Sequence, residues 1–350
     1  MPRALHLSLA LMTTLGTACA AQQSGDASTP APASAASADA PPARTSAPTR
    51  PGTFEWHTYT GDGGTRRYKL FVPGSYDRSR PAPLVVMLHG CTQDPDDFAR
   101  GTRFNQVADS AGVLVAYPEQ TAAENPQKCW SWWDPAHQRA GSGQAAQIAG
   151  ITREVMARHA VDPSRVYVAG ISAGGAMAVN VAVSFPTLYA AVGVHSGIAY
   201  GAARDVPSAL AAMRAPAADP DPAADDAVTQ ALRARGTPLP LIAYHGEADA
   251  VVNVRNAAGL AGQWMLAHDR AFPGREMATF VKHVRERFEV VGGLEIRQVH
   301  DYPRIPVLAT TVGELGHAWS GGSPEGTYTD PRGPDASREM LRFFLANPMR

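Results

Sequence analysis

The sequence predicts an α/β fold with a mostly parallel, doubly wound sheet and helices on both faces. Three observations carry that expectation. Strand and helix patterns alternate from Thr53 to the end, with no internal repeat. The strand patterns include continuous apolar runs such as Leu84-Val85-Val86-Met87-Leu88, which suit strands covered on both faces. The run Val166–Val168 breaks into Gly170-Ile171-Ser172-Ala173-Gly174 and then into a helical stretch, Ala176–Ala182. Strand, sharp turn and helix with a serine at the bend is the context of a nucleophile elbow. Flanking glycines have a physical role there, since a side chain at either flank would collide with the neighbouring strand or helix.

The elements follow in order. Arg66–Val72 alternates polar and apolar residues and reads as a strand, as does Leu84–Leu88, which ends in His89-Gly90-Cys91. Phe98–Ala111 has helical spacing, and Val113–Pro118 is the next strand. Thr121–Gly141 is a polar loop carrying Cys129-Trp130-Ser131-Trp132-Trp133, and Gly143–His159 is a helix with Ile148, Ile151, Val155 and Met156 on one face. After the elbow come a strand at Ala190–His195 and an Ala/Asp/Pro-rich insertion at Ala202–Gly236. A strand at Leu239–His245 and a helix at Arg255–His268 precede the last strand signals, Glu295–Tyr302 and Pro306–Val312. A loop, Gly313–Arg332, leads to a final helix, Asp335–Leu345, started by Pro334 and capped by Asp335.

Of 350 residues, 45% are hydrophobic and 18% charged, enough for one large core or two modest ones. A net charge of −1 gives no expectation of nucleic acid or an anionic membrane as partner. Beyond the N-terminus no run is long and apolar enough to span a bilayer. Residues 1–20 resemble an export signal. Arg3 is followed by the apolar run Leu5–Leu15 and by Ala18-Cys19-Ala20 for cleavage, which predicts a secreted or periplasmic protein. A lipoprotein reading, with Cys19 lipidated, ranks second because Gly16 stands where a branched apolar residue is expected. Residues 21–52 are almost all Ala, Ser, Pro, Thr, Gln and Asp, lack aromatics, and read as a disordered linker before one folded domain at 53–350. Cys91 and Cys129 are an even pair in an exported chain and are expected to form a disulfide, against the alternative of two buried thiols.

A serine hydroxyl needs a base, and the base an orienting acid. In this kind of fold the order is Ser, then Asp or Glu, then His. After Ser172 the candidate acid is Asp249, in a Gly246-containing turn past a strand, with Glu247 as rival. The candidate base is His317, in the glycine-rich loop Leu315-Gly316-His317-Ala318-Trp319, expected to be mobile and solvent-edged. His195 and His245 close strands and suit a buried structural role, His300 sits within a strand pattern, and His268 and His283 lie in charged stretches and are expected exposed. The oxyanion donors are expected to be the backbone N–H groups of Ala173 and Cys91, with His89 as a structural hydrogen-bonder. Trp130, Trp132, Trp133 and Trp319 are candidates for lining an apolar substrate surface. No metal or cofactor is expected: no Cys-x-x-Cys or His-Glu-x-x-His occurs, and Gly141-Ser142-Gly143 lacks a phosphate-loop lysine.

From Thr53 to the end, the ordered set Leu88-His89-Gly90-Cys91-Thr92-Gln93, Cys129-Trp130-Ser131-Trp132, Gly170–Gly175, His245-Gly246-x-x-Asp249 and Gly316-His317-x-Trp319 resembles the polyhydroxybutyrate depolymerase family of secreted α/β-hydrolase esterases. The resemblance implies hydrolysis of short-chain 3-hydroxyalkanoate esters by Ser172, Asp249 and His317. Feruloyl and acetylxylan esterases share this scaffold and form the competing expectation. A non-catalytic surface-binding protein is a third, opposed by the complete Ser–Asp–His order. Polymer-degrading members often carry a fibronectin-like linker and a C-terminal binding domain after the last helix. Their absence here implies soluble oligomers, amorphous polymer or small esters rather than crystalline polymer.

Overall fold

The computed structural model describes residues 50–215, 221–273, 284–291, 293–301 and 307–350. The expected export signal with Cys19, the expected linker up to residue 49, His283, residues 216–220 of the insertion, and Tyr302 and Pro306 of the last strand signals lie outside these described residues.

Among the described residues ten strands form one sheet: β1 (Thr53–Gly61), β2 (Gly64–Val72), β3 (Ala82–Leu88), β4 (Leu114–Pro118), β5 (Val161–Ile171), β6 (Ala191–His195), β7 (Leu241–Gly246), β8 (Val284–Val291), β9 (Leu294–Asp301) and β10 (Val307–Val312). Their order is β1-β2-β4-β3-β5-β6-β7-β10-β9-β8. From β4 to β10 all neighbours are parallel, and an antiparallel ribbon closes each edge. This is the mostly parallel, doubly wound sheet that the alternating sequence predicts, and it agrees with the α/β-hydrolase fold that the family resemblance implies. The sequence pattern misses the two outermost strands. Most of β1 is half-buried or exposed, so its apolar alternation is weak. Its available signal is Asp62-Gly63, a two-residue turn with Gly63 at φ 83° that pairs Gly61 with Gly64.

The continuous apolar run of β3 is explained by its two covered faces. Leu84, Val86 and Leu88 join one core with α3 (Gly143–Arg158), α4 (Ala173–Ser184) and α7 (Arg255–Ala271). Val85 and Met87 join the other with α1 (Pro95–Thr102), α2 (Phe104–Ala111) and α8 (Ala336–Ala346). The stretch expected as one helix, 98–111, is two. Arg103 adopts φ 54°, and the Thr102 hydroxyl donates to Phe98 O while accepting from Phe104 N–H, which offers the backbone an alternative to a continued helix. The insertion holds α5 (Val206–Arg214) and α6 (Pro222–Arg235), capped at their starts by Asp205 and Asp221. The expected exposure of His268 does not hold. It is fully buried, with Nδ1 donating to Trp264 O and Nε2 accepting from Leu239 N–H.

The segments holding Cys91, Cys129, Ser172, Asp249 and His317 follow the carboxyl ends of the parallel strands β3, β4, β5, β7 and β10, where open α/β sheets gather their functional groups. Cys91, after β3, and Cys129, in the loop after β4, form a disulfide with a Cα–Cα distance of 4.2 Å. It closes a chain segment with a separation of 38 residues. On the chain-entropy account such a link is worth about 4 kcal/mol. Urea denaturation of the Cys91→Ser/Cys129→Ser pair is expected to show a loss of that order against the oxidised protein; equal midpoints would contradict it.

Candidate active site

Ser172 sits between β5 and α4 at φ 56°, ψ −124°. A non-glycine residue there carries about 1–3 kcal/mol of strain, so its surroundings must hold it. Its N–H donates to His195 O at 2.9 Å. The glycines on either side permit close packing. A Cβ at Gly174 would stand 2.1 Å from Leu88 O, and one at Gly170 2.6 Å from the same atom. The elbow is therefore pressed against the end of β3, and the loop leaving β3 must pass beside the serine.

Asp249 lies in the turn after β7. Its Oδ1 accepts from Val251 N–H at 2.9 Å and from Val252 N–H at 2.8 Å. Its Oδ2 stands 2.7 Å from His317 Nδ1 and 3.4 Å from His245 Nε2. The carboxyl is fully buried. Burial alone would raise its pKa, but the hydrogen bonds from His245 and His317, the His317 charge and the Val252 N–H outweigh it and hold the group well below the ordinary carboxylate range. Glu247, the rival acid, points elsewhere and accepts from Thr311 Oγ1.

The loop carrying His317 is tied to the acid turn by backbone hydrogen bonds. Ala248 N–H donates to Leu315 O, and Glu247 N–H to Val312 O, so the acid turn and the histidine loop share backbone bonds. Beyond the histidine, β11 (Trp319–Ser320) pairs with β12 (Thr329–Asp330), and Ser320 N–H donates to the buried His195 Nε2. With Nδ1–H directed at Asp249, the Nε2 of His317 is left as an acceptor. The His317 side chain is nearly buried, and it lines the same cavity as Ser172.

That cavity, about 270 Å³, is lined mainly by apolar surface. Gly90, Cys91, Met213, Val251 and Tyr328 contribute walls. Gly90 lies against the nucleophile elbow: a Cβ there would be 3.5 Å from Ser172 Cβ. Gln93 Oε1 accepts from Gly90 N–H, and Thr92 N–H donates to Gln127 O. His89 Nε2 accepts from Gln120 N–H, so its Nδ1–H faces Gly90 O at 2.8 Å. Burial pushes His89 down to about 4, which keeps it neutral in this role. Because the peptide is planar and trans, fixing Gly90 O fixes the opposite direction of the Cys91 N–H. Ala173 is the first residue of α4, where an N–H has no partner within the helix.

The four tryptophans do not line this cavity. Trp130 and Trp319 are fully buried and Trp132 almost so. Trp130 Nε1 donates to His89 O under the Arg66 guanidinium, and Trp319 stacks on His195 while its Nε1 donates to Ser337 Oγ. Trp133 packs edge-on against Trp132 at a ring distance of 5.8 Å. Their large apolar bodies are used as core, with the indole N–H groups of Trp130 and Trp319 satisfied inside. The walls that sequence reasoning missed include Met213, Val251 and Tyr328. Met213 comes from the insertion and Tyr328 from a loop, and neither stretch has a pattern that marks a site.

A family model for the esterase PHB depolymerases matches residues 66–276. The chain belongs to this family. Among its relatives, poly(3-hydroxyalkanoate) depolymerase C of Paucimonas lemoignei is 30% identical over 275 residues, covering 78% of this chain and 61% of that protein. Feruloyl esterase B of Thermothelomyces thermophilus is 32% identical over 154 residues, covering 43% of this chain and 51% of its own length. The chain thus spans between half and two thirds of these relatives. In structure, the acetyl xylan esterase from Aspergillus awamori aligns with a TM-score of 0.59 at 20% identity, over 75% of this chain and 94% of that one, which shows the shared fold.

The depressed Asp249 pKa has a consequence for stability. A carboxyl held below its unfolded value of about 3.9 stabilises the fold above that pH, and the contribution fades as pH falls below it. Denaturation midpoints at pH 7 and pH 3 should therefore drop further in the native protein than in Asp249→Asn. Parallel losses would show that the carboxylate is not the linked group.

Proposed function

We propose that this protein is an exported serine ester hydrolase of depolymerase type, acting on short-chain 3-hydroxyalkanoate esters, with Ser172 as nucleophile, His317 as base and Asp249 as orienting acid. The observation that carries the reading is the 2.7 Å contact of Asp249 Oδ2 with His317 Nδ1 beside a serine that shares one cavity with that histidine. His317 Nε2 takes the Ser172 proton as Oγ attacks the ester carbonyl carbon. The Cys91 and Ala173 N–H groups receive the oxyanion. The tetrahedral intermediate collapses, the alcohol departs with the proton from His317, and an acyl-Ser172 ester remains. Water, deprotonated by His317, then releases the acid and restores Ser172.

The depolymerase relative supports the hydroxyalkanoate side of this reading. The feruloyl esterase above and acetylxylan esterase A of Emericella nidulans, 29% identical over 225 residues, support a competing one, in which the acyl group is ferulate or acetate on a plant polysaccharide.

Rates on 3-hydroxybutyrate oligomers, methyl ferulate and acetylated xylan, measured side by side, are expected to be highest on the oligomers. A higher rate on either of the others would favour the competing reading. Ser172→Ala is expected to lower kcat about 10⁶-fold, and Asp249→Asn about 10⁴-fold with the fold retained. Full activity of Ser172→Ala would remove the serine mechanism.

A further inference from the structure

Helix α5 has its apolar residues on an unusual side. A surface helix ordinarily buries its large apolar residues and exposes small or polar ones. Here Ala209 and Ala212 are the buried residues, while Val206 and Leu210 are 53% and 50% exposed. Val206, Leu210 and Met213 follow the i, i+4, i+7 spacing and form one stripe beside the buried alanines. The helix has its own local support. The Asp205 carboxylate accepts from Ser208 N–H, and Ser208 Oγ lies 3.1 Å from Asp205 N in a capping box. Its outward valine and leucine bury little of their side chains against the fold.

The stripe runs into the catalytic cavity. Met213 lines that cavity together with Val251, itself 46% exposed. Two hydrogen bonds hold the end of the helix there: Asn253 N–H to Met213 O at 2.8 Å and Asn256 Nδ2 to Ala212 O at 3.0 Å. Both donors follow the turn of Asp249. From Met213 back to Val206 the stripe extends about 10 Å from the cavity mouth.

We propose that this stripe is a landing surface for an aliphatic polyester chain, holding the part of the substrate that lies beyond the bond under attack. It rests on the ester-hydrolase reading above and narrows its substrate class. The chemistry of the surface selects the occupant. Val206, Leu210, Met213 and Val251 carry no hydrogen-bond donors or acceptors in their side chains. A polysaccharide strand, with hydroxyls on every residue, would lose water there without replacement. A polyester with alkyl side groups loses only apolar hydration and keeps its weakly solvated esters at the edge. Continuity with the cavity lets one chain occupy both places.

The test uses the full chain carrying Val206→Ser and Leu210→Ser, two exposed positions outside the cavity. Adsorption to amorphous poly(3-hydroxybutyrate) particles is measured in the Ser172→Ala background, so that turnover does not alter the surface. We expect an affinity loss of about tenfold, with kcat/KM on soluble nitrophenyl butyrate, measured with Ser172 intact, within about twofold of the parent. Val206→Phe/Leu210→Phe, which adds apolar area, is expected to adsorb more tightly. Unchanged adsorption in the serine pair overturns the proposal. So does an equal loss on the soluble ester, which would make the helix a structural support of the cavity. A concentration-dependent dimer in sedimentation that the serine pair dissolves also overturns it, by assigning the stripe to a second copy of the chain. Failure of the parent protein on every ester would remove the catalytic reading instead, and the adsorption measurement would still report on the surface.

Discussion

The arrangement of the site depends on one close approach of backbone to backbone. Gly170 and Gly174 bring the elbow against Leu88 O at the end of β3, at distances that exclude any Cβ. Ser172, at positive φ, is held by its N–H on His195 O at the end of β6. Three adjacent parallel strands therefore meet at the serine. The loop leaving β3 passes beside Ser172, with Gly90 against it and Cys91 in the wall of the same cavity. A side chain at either glycine would separate these strand ends and move the loop with them.

Around this point the supports are polar and buried. His89 joins Gln120 N–H to Gly90 O, Trp130 Nε1 caps His89 O, and the disulfide ties Cys91 to the same loop. Gln93 links Gly90 N–H to Thr327 O, and so to the loop that carries Tyr328. On the other side, the turn of Asp249 and the loop of His317 share backbone hydrogen bonds before their side chains meet. Buried networks of this kind are costly when half-satisfied and position well when complete. The position of the histidine is thus set by the backbone as well as by its hydrogen bond to Asp249.

Part of the cavity wall and the stripe on α5 come from an insertion and a loop outside the parallel strands. The candidate triad residues follow the parallel strands β5, β7 and β10, while an insertion and a loop contribute Met213 and Tyr328 to the space above them. Such a division explains how relatives named for polyesters, ferulate esters and acetylxylan share one fold, since substrate choice lies in loops positioned by a rigid sheet.

Much of this was legible from residue order. Continuous apolar runs marked the central strands because both of their faces are covered, and the glycine spacing at 170–174 marked the elbow because no other residue fits there. The Ser, Asp, His order pointed to Asp249 and His317 because loops after parallel strands emerge on one edge. The edge strand β1 was not legible, since its half-solvated pattern is weak. Nor was the role of the tryptophans: a Trp-rich loop reads the same whether its rings face a substrate or the core, and only packing placed Trp130 and Trp319 inside. The exposed face of α5 was equally hidden. Helical periodicity gives the spacing of Val206, Leu210 and Met213, but which face meets solvent depends on what else occupies the sheet end. The sequence by itself marked Ser172, Asp249 and His317 as candidates and set their order, because local sterics and strand periodicity act on near neighbours. The tertiary structure decided which apolar surface remains for a substrate, because burial is a property of the whole fold.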